Sequence, residues 1–270
     1  MTTPTSETRF QFGDNWLRFL NVLTDAHIAE AERSMREFLG TDDLSGRRFL
    51  DIGSGSGLHS LAARRFGATV HAFDYDPQSV ACTQELKRRY FPGDPAWTVE
   101  QNSVLDAGYM QSLGVFDIVY SWGVLHHTGF LWQALYNAQL PLQKDGLLFI
   151  AIYNDQGLVS KIWEIIKRTH SSGKLGRAVT TAVFFPVFFV AGLLIDLVKL
   201  QNPARRYREH KKYRGMSLLH DWRDWLGGYP FEVAAPERII AFYKNLGFEL
   251  VNFQKTGHGF GNNQYLFRKL

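Results

Sequence analysis

Six side chains stand where binding and proton-transfer chemistry would need them, and all follow apolar runs. Asp51 lies two residues before the first glycine of a turn, in LDIGSGSGLHS at 50–60. Asp74 closes VHAFD, about 20 residues beyond that turn. His126 and His127 follow FDIVYSWGVL, and Tyr153 and Asp155 come at the end of LLFIAIYND. A carboxylate placed like Asp51 can anchor an ammonium group, directly or through water. One placed like Asp74 can accept both hydroxyls of a ribose. A neutral imidazole is the usual group for removing a proton near pH 7. The set suits a cationic nucleoside and an acceptor that must lose a proton.

The turn itself narrows the cofactor. Its glycines are Gly53, Gly55 and Gly57, with Ser54 between the first two, and the third glycine of a dinucleotide fingerprint would fall at Leu58. The spacing is wrong for NAD, and Asp51 would repel a pyrophosphate. S-adenosylmethionine has the matching parts: a cationic amine for Asp51, a carboxylate for the helix N-terminus near Gly55 to Leu58, a sulfonium and an adenosine. Here the chain resembles the class I S-adenosylmethionine-dependent methyltransferases, whose first motif, Asp/Glu-x-Gly-x-Gly-x-Gly, is matched by Asp51 through Gly57.

The resemblance implies further site residues. It places the ribose acid at Asp74 and a residue near the adenine at Tyr75, while Asp76 is expected to cap the helix starting at Pro77. In VEQNSVLD, Ser103 and the Val104 N–H take the places that hold the adenine amino group; many relatives carry Asp at the Ser103 position, and Asp106 stands close by as an alternative. Ser121, Trp122 and Gly123, at the end of the fourth strand, are expected to line the methionine part. Adjacent histidines do not point the same way, so at most one of His126 and His127 is the base, and the other caps a loop or packs. Tyr153, Asn154 and Asp155 are further candidates for bonding an acceptor, with ordinary turn chemistry as their alternative. SWGVLHHTG holds no carboxylate and Asp155 alone is a poor magnesium cage, so a metal-free mechanism is expected.

These residues need elements to hold them. Apolar runs at Phe49 to Ile52, Thr69 to Asp74, Trp97 to Asn102, Phe116 to Ser121 and Gly146 to Tyr153 read as parallel strands with helices between. FELVNFQ and NQYLFRKL add two strands after a helix from Pro236 to Leu246. The expected class is α/β: a Rossmann-like, seven-stranded, mostly parallel sheet with helices on both faces and a helical cap insertion. In the family it resembles, the last strand runs antiparallel. The expected organisation is an N-terminal helical segment at 1–44 closing on the cofactor, a core at 45–154 and 235–270, and a cap at 155–234. The N-terminal segment FGDNWLRFLNVLTDAHIAEAERSMREFLG has helical spacing, with Phe12, Trp16 and Phe19 either covering the cofactor or simply packing.

The 270 residues are 45% hydrophobic, enough for a full core and against general disorder. The single cysteine, Cys82, excludes an internal disulfide framework and a cysteine-based zinc site, and reads as a core filler. MTTPTSETRF carries no apolar run beside a basic one, so no secretory signal is expected and the protein is expected in the cytoplasm. The net charge of +4 is concentrated in RRYREHKKYR at 205–214, which alone carries +5.

Ahead of that patch, Ala178 to Ile195 form 18 residues without a charge. A single membrane span here would separate the last two strands from their sheet, so two readings remain. One is a buried cap helix kinked at Pro186; the other is a helix pair in the bilayer interface with 178–214 against lipid, on the inner face of the membrane. The basic patch comes with no nucleic-acid module, so nucleic acid is not the expected partner. In HDWRDWLGGYPFE, His220, Trp222 and Tyr229 are candidate walls for an aromatic or lipid-like acceptor, or the tryptophans are core. The expected reaction is O-methylation of a hydroxylated, partly apolar small molecule: a quinol, a polyprenyl-linked intermediate or a glycan precursor. The rivals are methylation of RNA or protein, and a cofactor-binding module without turnover.

Overall fold

The computed structural model of the chain describes residues 16, 19, 20, 22–200, 202, 222, 225–256 and 261–270. They fall into two compact units: Gly13–Gln156 with Glu232–Leu270, and Gly157–Phe231.

The first unit is built on strands β1 (Arg48–Ile52), β2 (Thr69–Asp74), β3 (Trp97–Gln101), β4 (Phe116–Trp122), β5 (Leu142–Tyr153), β6 (Phe248–Gln254) and β7 (Asn262–Lys269). They form one seven-stranded sheet in the order β3-β2-β1-β4-β5-β7-β6. β1 to β5 are parallel, and β7 runs antiparallel to both β5 and β6. The order runs outward from β1 in both directions, which makes the carboxyl ends of β1 and β4 the switch point where open α/β sheets bind ligands.

Alternation along β1 divides the core between two faces. Phe49 joins a cluster with Ile28, Met35 and Phe38 of α1 (Asp25–Leu39), Leu61 of α2 (Leu58–Arg65) and Leu86 of α3 (Pro77–Tyr90). Leu50 and Ile52 join the opposite cluster, with Met110 of α4 (Ala107–Ser112), Leu135 of α5 (Leu131–Ala138) and Tyr243, from the helix at Pro236–Asn245. Each such side chain, fully buried, contributes about 1.5–3 kcal/mol, and the two clusters together hold the strand ends in fixed register. Cys82 is wholly buried in the first cluster, as a core filler should be.

Two boundaries differ from the sequence expectation. The N-terminal helical pattern is interrupted at residues 22–24, because Thr24 caps α1 in a reciprocal pair with His27. β5 opens at Leu142 rather than Gly146; Phe116 pairs with Leu142 and Ile118 with Leu147, so the polar residues between form an irregularity that a hydrophobic count misses. Phe38 of α1 stacks on Phe149 of β5 at 4.1 Å between ring centroids, which makes α1 part of the core unit.

The second unit contains α6 (Leu158–Ser171) and α7 (Lys174–Val198), joined by a tight turn; the helix at Pro236–Asn245 is then α8. Pro186 lies inside α7, which is one continuous helix. Trp163, Phe184, Phe188 and Trp225 pack together between its elements, with ring centroids 5.7–6.5 Å apart. Trp222, half-buried, adds to this aromatic cluster against Phe185 and Phe188, while Trp225 remains 41% exposed. The basic stretch 205–214, His220 and Phe12 lie outside the described residues.

Candidate active site

The turn after β1 depends on its glycines. Gly53, Gly55 and Gly57 all have positive φ, at 76, 54 and 80°, a region that other residues enter at a cost. Space excludes a side chain as well: a Cβ on Gly53 would meet Val124 Cγ1 at 2.4 Å, and one on Gly57 would meet Thr83 Cγ2 at 3.0 Å. The Gly53 and Ser54 N–H groups donate to the Phe73 carbonyl at 2.8 and 3.1 Å. Ser54 Oγ and Thr83 Oγ1 lie 2.9 Å apart, in hydrogen-bond contact. The turn is thereby fixed ahead of α2.

Asp51 is buried at the end of β1, and Ser60 Oγ donates to its Oδ2 at 2.6 Å. Burial pushes its carboxyl up to about 7, the Ser60 bond pulls the other way, and the Asp74 charge adds to the rise. A carboxyl poised in this way gains from a cationic partner, which would hold it ionised. His59, in the same turn of α2, is driven the other way, down to about 4 by burial, and lies tilted over Tyr120 at 4.9 Å.

Asp74 stands at the tip of β2. Its Oδ2 accepts the Gly55 N–H at 3.0 Å and its Oδ1 accepts the Asp76 N–H at 2.9 Å. It therefore braces the glycine turn from the strand tip, the place where an acid can accept ribose hydroxyls. Tyr75 beside it is half exposed. Asp76 accepts the Gln78 N–H at 2.8 Å as the cap of α3, as expected.

After β3, Ser103 Oγ accepts the Leu105 N–H at 3.2 Å, and Val104 is buried with its carbonyl accepting Asn137 Nδ2 at 2.8 Å. Asp106, the sequence alternative to Ser103, is the cap of α4 and accepts the Tyr109 N–H at 2.9 Å. Trp16 lies against the turn, its Nε1 3.1 Å from the position of a Gly55 Cβ, and Phe19 is buried beside it.

At the end of β4 the two expected residues diverge. Ser121 is wholly buried and its Oγ donates to the Ile52 carbonyl at 3.0 Å, which ties β4 to β1. Trp122 is exposed, with its Nε1 donating to Gln264 Oε1 at 3.3 Å. The histidines diverge too. They share a short 3-10 turn, Leu125–His127. His126 is wholly buried, its Nδ1 accepts the Tyr153 N–H at 3.4 Å, and its ring lies on Tyr153 at 3.9 Å. With Nδ1 accepting, a neutral ring carries its proton on Nε2. His127 is half-buried, edge-on to Tyr153 at 5.4 Å. Asp155 is exposed, and its N–H donates to the Ala234 carbonyl at 3.3 Å. Asn154 Oδ1 accepts Asn263 Nδ2 at 2.9 Å.

Sequence reasoning missed Ser60, Thr83, Val124 and Glu232. Glu232 Oε1 accepts the Leu131 N–H at 3.1 Å at the start of α5, and its own N–H donates to the His126 carbonyl at 2.9 Å. Its only signal was an acid ending an aromatic-rich stretch. Among the described residues, no three His, Cys, Asp or Glu side chains gather to hold a metal ion.

A sheet of this order, with an acid closing β1 before a three-glycine turn and a second acid closing β2, defines the class I S-adenosylmethionine-dependent methyltransferases. The chain belongs to the family described as Methyltransferase domain, whose model matches residues 25–227. It is 48% identical over 59 residues to the ribosomal protein L11 methyltransferase of Methylococcus capsulatus, covering 22% of this chain and 20% of that one. Over 110 residues it is 36% identical to the tRNA U34 carboxymethyltransferase of Cronobacter sakazakii, covering 40% and 32%. The matches thus span a third or less of these relatives' lengths. Among solved structures, magnesium protoporphyrin IX methyltransferase from Synechocystis PCC 6803, with bound SAH, has a TM-score of 0.54 at 13% identity, covering 90% of this chain and 84% of that one. PKMT2 from Rickettsia typhi, in complex with AdoHcy, has a TM-score of 0.55 at 15% identity, covering 83% and 49%. Both likenesses are of fold. S-adenosylmethionine is the cofactor of the class, and the Cβ-free turn, the buried Asp51 and the braced Asp74 fit it.

Proposed function

We propose that this protein methylates a hydroxyl of a small, partly apolar acceptor, with His127 as the proton acceptor. The division between the histidines carries this reading. His126 is buried with its ring on Tyr153, while His127 is half-buried, in the turn that follows β4. A proton acceptor at that end of the sheet suits an acceptor O–H, which is a poor nucleophile until its proton leaves.

In this mechanism Asp51 holds the amine of the cofactor, Asp74 the ribose, and the Gly53–Gly57 turn admits its carboxylate end. The cofactor supplies an already activated methyl group on a cationic sulfur. His127 takes the proton as the acceptor oxygen forms its bond to the methyl carbon; the carbon–sulfur bond breaks and the sulfur keeps the electron pair. The positive charge passes from sulfur to imidazolium, which returns its proton to water. Much of the acceleration comes from positioning. Tyr153, whose ring touches both histidines, orients the pair.

Candidate acceptors are quinols, polyprenyl-linked phenols and glycan precursors. The test is transfer of labelled methyl from S-adenosylmethionine to such a panel, with total RNA and protein as rival acceptors. A methyl ether formed at a rate that falls at least about a hundredfold in His127→Ala is expected. Transfer only to RNA or protein, or an unchanged rate in His127→Ala, would overturn the reading. Tight cofactor binding with no transfer to anything would leave a binding module instead.

A further inference from the structure

The unit at Gly157–Phe231 is built inside out. In α7 the residues turned inward recur every fourth position: Gly176, Thr180, Phe184, Phe188, Gly192 and Asp196 are buried or half-buried. Two of these are glycines and two are polar. The residues turned outward are the large apolar ones, Val179, Val183, Val187, Val190 and Leu194, each about half exposed or more. α6 repeats the pattern: Ser160, Lys167 and His170 are buried, and Leu158, Ile162 and Ile165 are exposed. The inward polar groups are satisfied there. His170 Nδ1 and Thr180 Oγ1 lie 2.7 Å apart, Lys167 Nζ donates to the Trp225 carbonyl, and Ser171 Oγ donates to the Gly227 carbonyl at 3.0 Å.

Fifteen of the 23 exposed large apolar side chains among the described residues fall within 158–200. Scattered exposed apolar residues are ordinary, but a continuous face of this kind marks an interaction surface. Its charge selects the partner. Residues 158–200 carry six Lys or Arg against two acids, and RRYREHKKYR follows with a further +5. Lys161, Arg168, Lys174, Arg177 and Lys199 are all exposed, and the last three bracket the apolar length of α7. Apolar surface bracketed by cations matches a bilayer with anionic headgroups.

Geometry chooses among ways of meeting it. α7 has 25 residues and is about 37 Å long, enough to cross a bilayer core of about 30 Å. However, β7 pairs with β5, so the chain on either side of the insertion belongs to one sheet and a single crossing is excluded. A crossing hairpin of α6 with α7 fails too, because α6 has only 14 residues, about 21 Å, and carries Lys161, Glu164 and Arg168 on its exposed side. We propose that α6 and α7 lie in the plane of an anionic membrane interface, with the outward valines and leucines among the acyl chains and the bracketing bases at the headgroups. Long basic side chains reach headgroups from such a position.

The full chain is tested by sedimentation with phosphatidylglycerol-containing and with neutral phosphatidylcholine vesicles, alongside Val183→Glu/Val187→Glu. The expected result is binding to anionic vesicles that weakens with salt yet persists, and that falls more than about tenfold in the double variant. The variant's affinity for S-adenosylmethionine, unchanged, confirms that it is folded. Absence of vesicle binding at low salt overturns the proposal. So does binding that salt abolishes and the double variant keeps, which would be headgroup attraction alone. A vesicle-free dimer in sedimentation velocity, lost in the double variant and unmoved by lipid, would assign the face to a second copy of the chain instead.

Discussion

Ser60 Oγ donates to Asp51 Oδ2 at 2.6 Å, so the acid closing β1 is held by the first turn of the helix that follows its own glycine turn. Burial nevertheless dominates and raises the Asp51 carboxyl to about 7. An unfolded aspartate titrates near about 3.9, so between these values the folded protein keeps a proton that the unfolded chain has lost. The resulting stabilisation is complete below the unfolded value and is lost as pH rises through about 7. Cofactor-free Asp51→Asn is therefore expected to melt higher than the parent above that pH. Calorimetry should show S-adenosylmethionine affinity rising as Asp51 ionises, with the variant about ten- to a hundredfold weaker. An affinity in the parent that stays flat across this range would break the pairing of Asp51 with the amine.

His59 carries the opposite sign. Burial holds its imidazole down to about 4, below the unfolded value of about 6.5. The stability that this represents is present above the unfolded value and lost as pH falls through the folded one. Melting temperatures over that acid range should decline less steeply in His59→Phe than in the parent, since phenylalanine keeps the contact with Tyr120 and has no proton to take up.

Gly53 faces two separate obstacles to a side chain: its φ of 76° and the Val124 methyl at 2.4 Å from a Cβ. Gly53→Ala is expected to cost about 1–3 kcal/mol in urea unfolding. Val124→Ala relieves the overlap but not the φ. The double variant should thus be less destabilised than the two single losses added together, a non-additivity that a purely conformational cost would not produce.

The two histidines should separate stability from turnover. His126→Ala removes a wholly buried ring stacked on Tyr153 and is expected to lower the melting temperature. His127→Ala should leave melting nearly unchanged and lower kcat. The reverse assignment of effects, read by calorimetry and methyl transfer on the same preparations, would return His126 to the chemistry.

The strand-end places of Asp51 and Asp74 and the three-glycine turn were legible in the sequence because such features are local. A strand end, a turn that needs positive φ and an acid at the next strand end lie within about 20 residues of one another. The strand count was legible for the same reason, since each strand is a short apolar run bounded by its own turns. Asp106 shows the limit: its type and place suggested an adenine contact, and only the fold shows that it also caps α4. Only the tertiary fold set His126 and His127 apart in burial, because burial depends on Tyr153, 27 positions from His126, and on Glu232 beyond the insertion. It likewise decided which face of α7 is outward. Composition marked Ala178 to Ile195 as apolar on nearly every side, and the packing of Gly176, Thr180, Gly192 and Asp196 turned the polar and small residues in. Sequence determines what a residue can do within a turn or two of itself; which partners cover it is set by contacts between segments far apart in the chain.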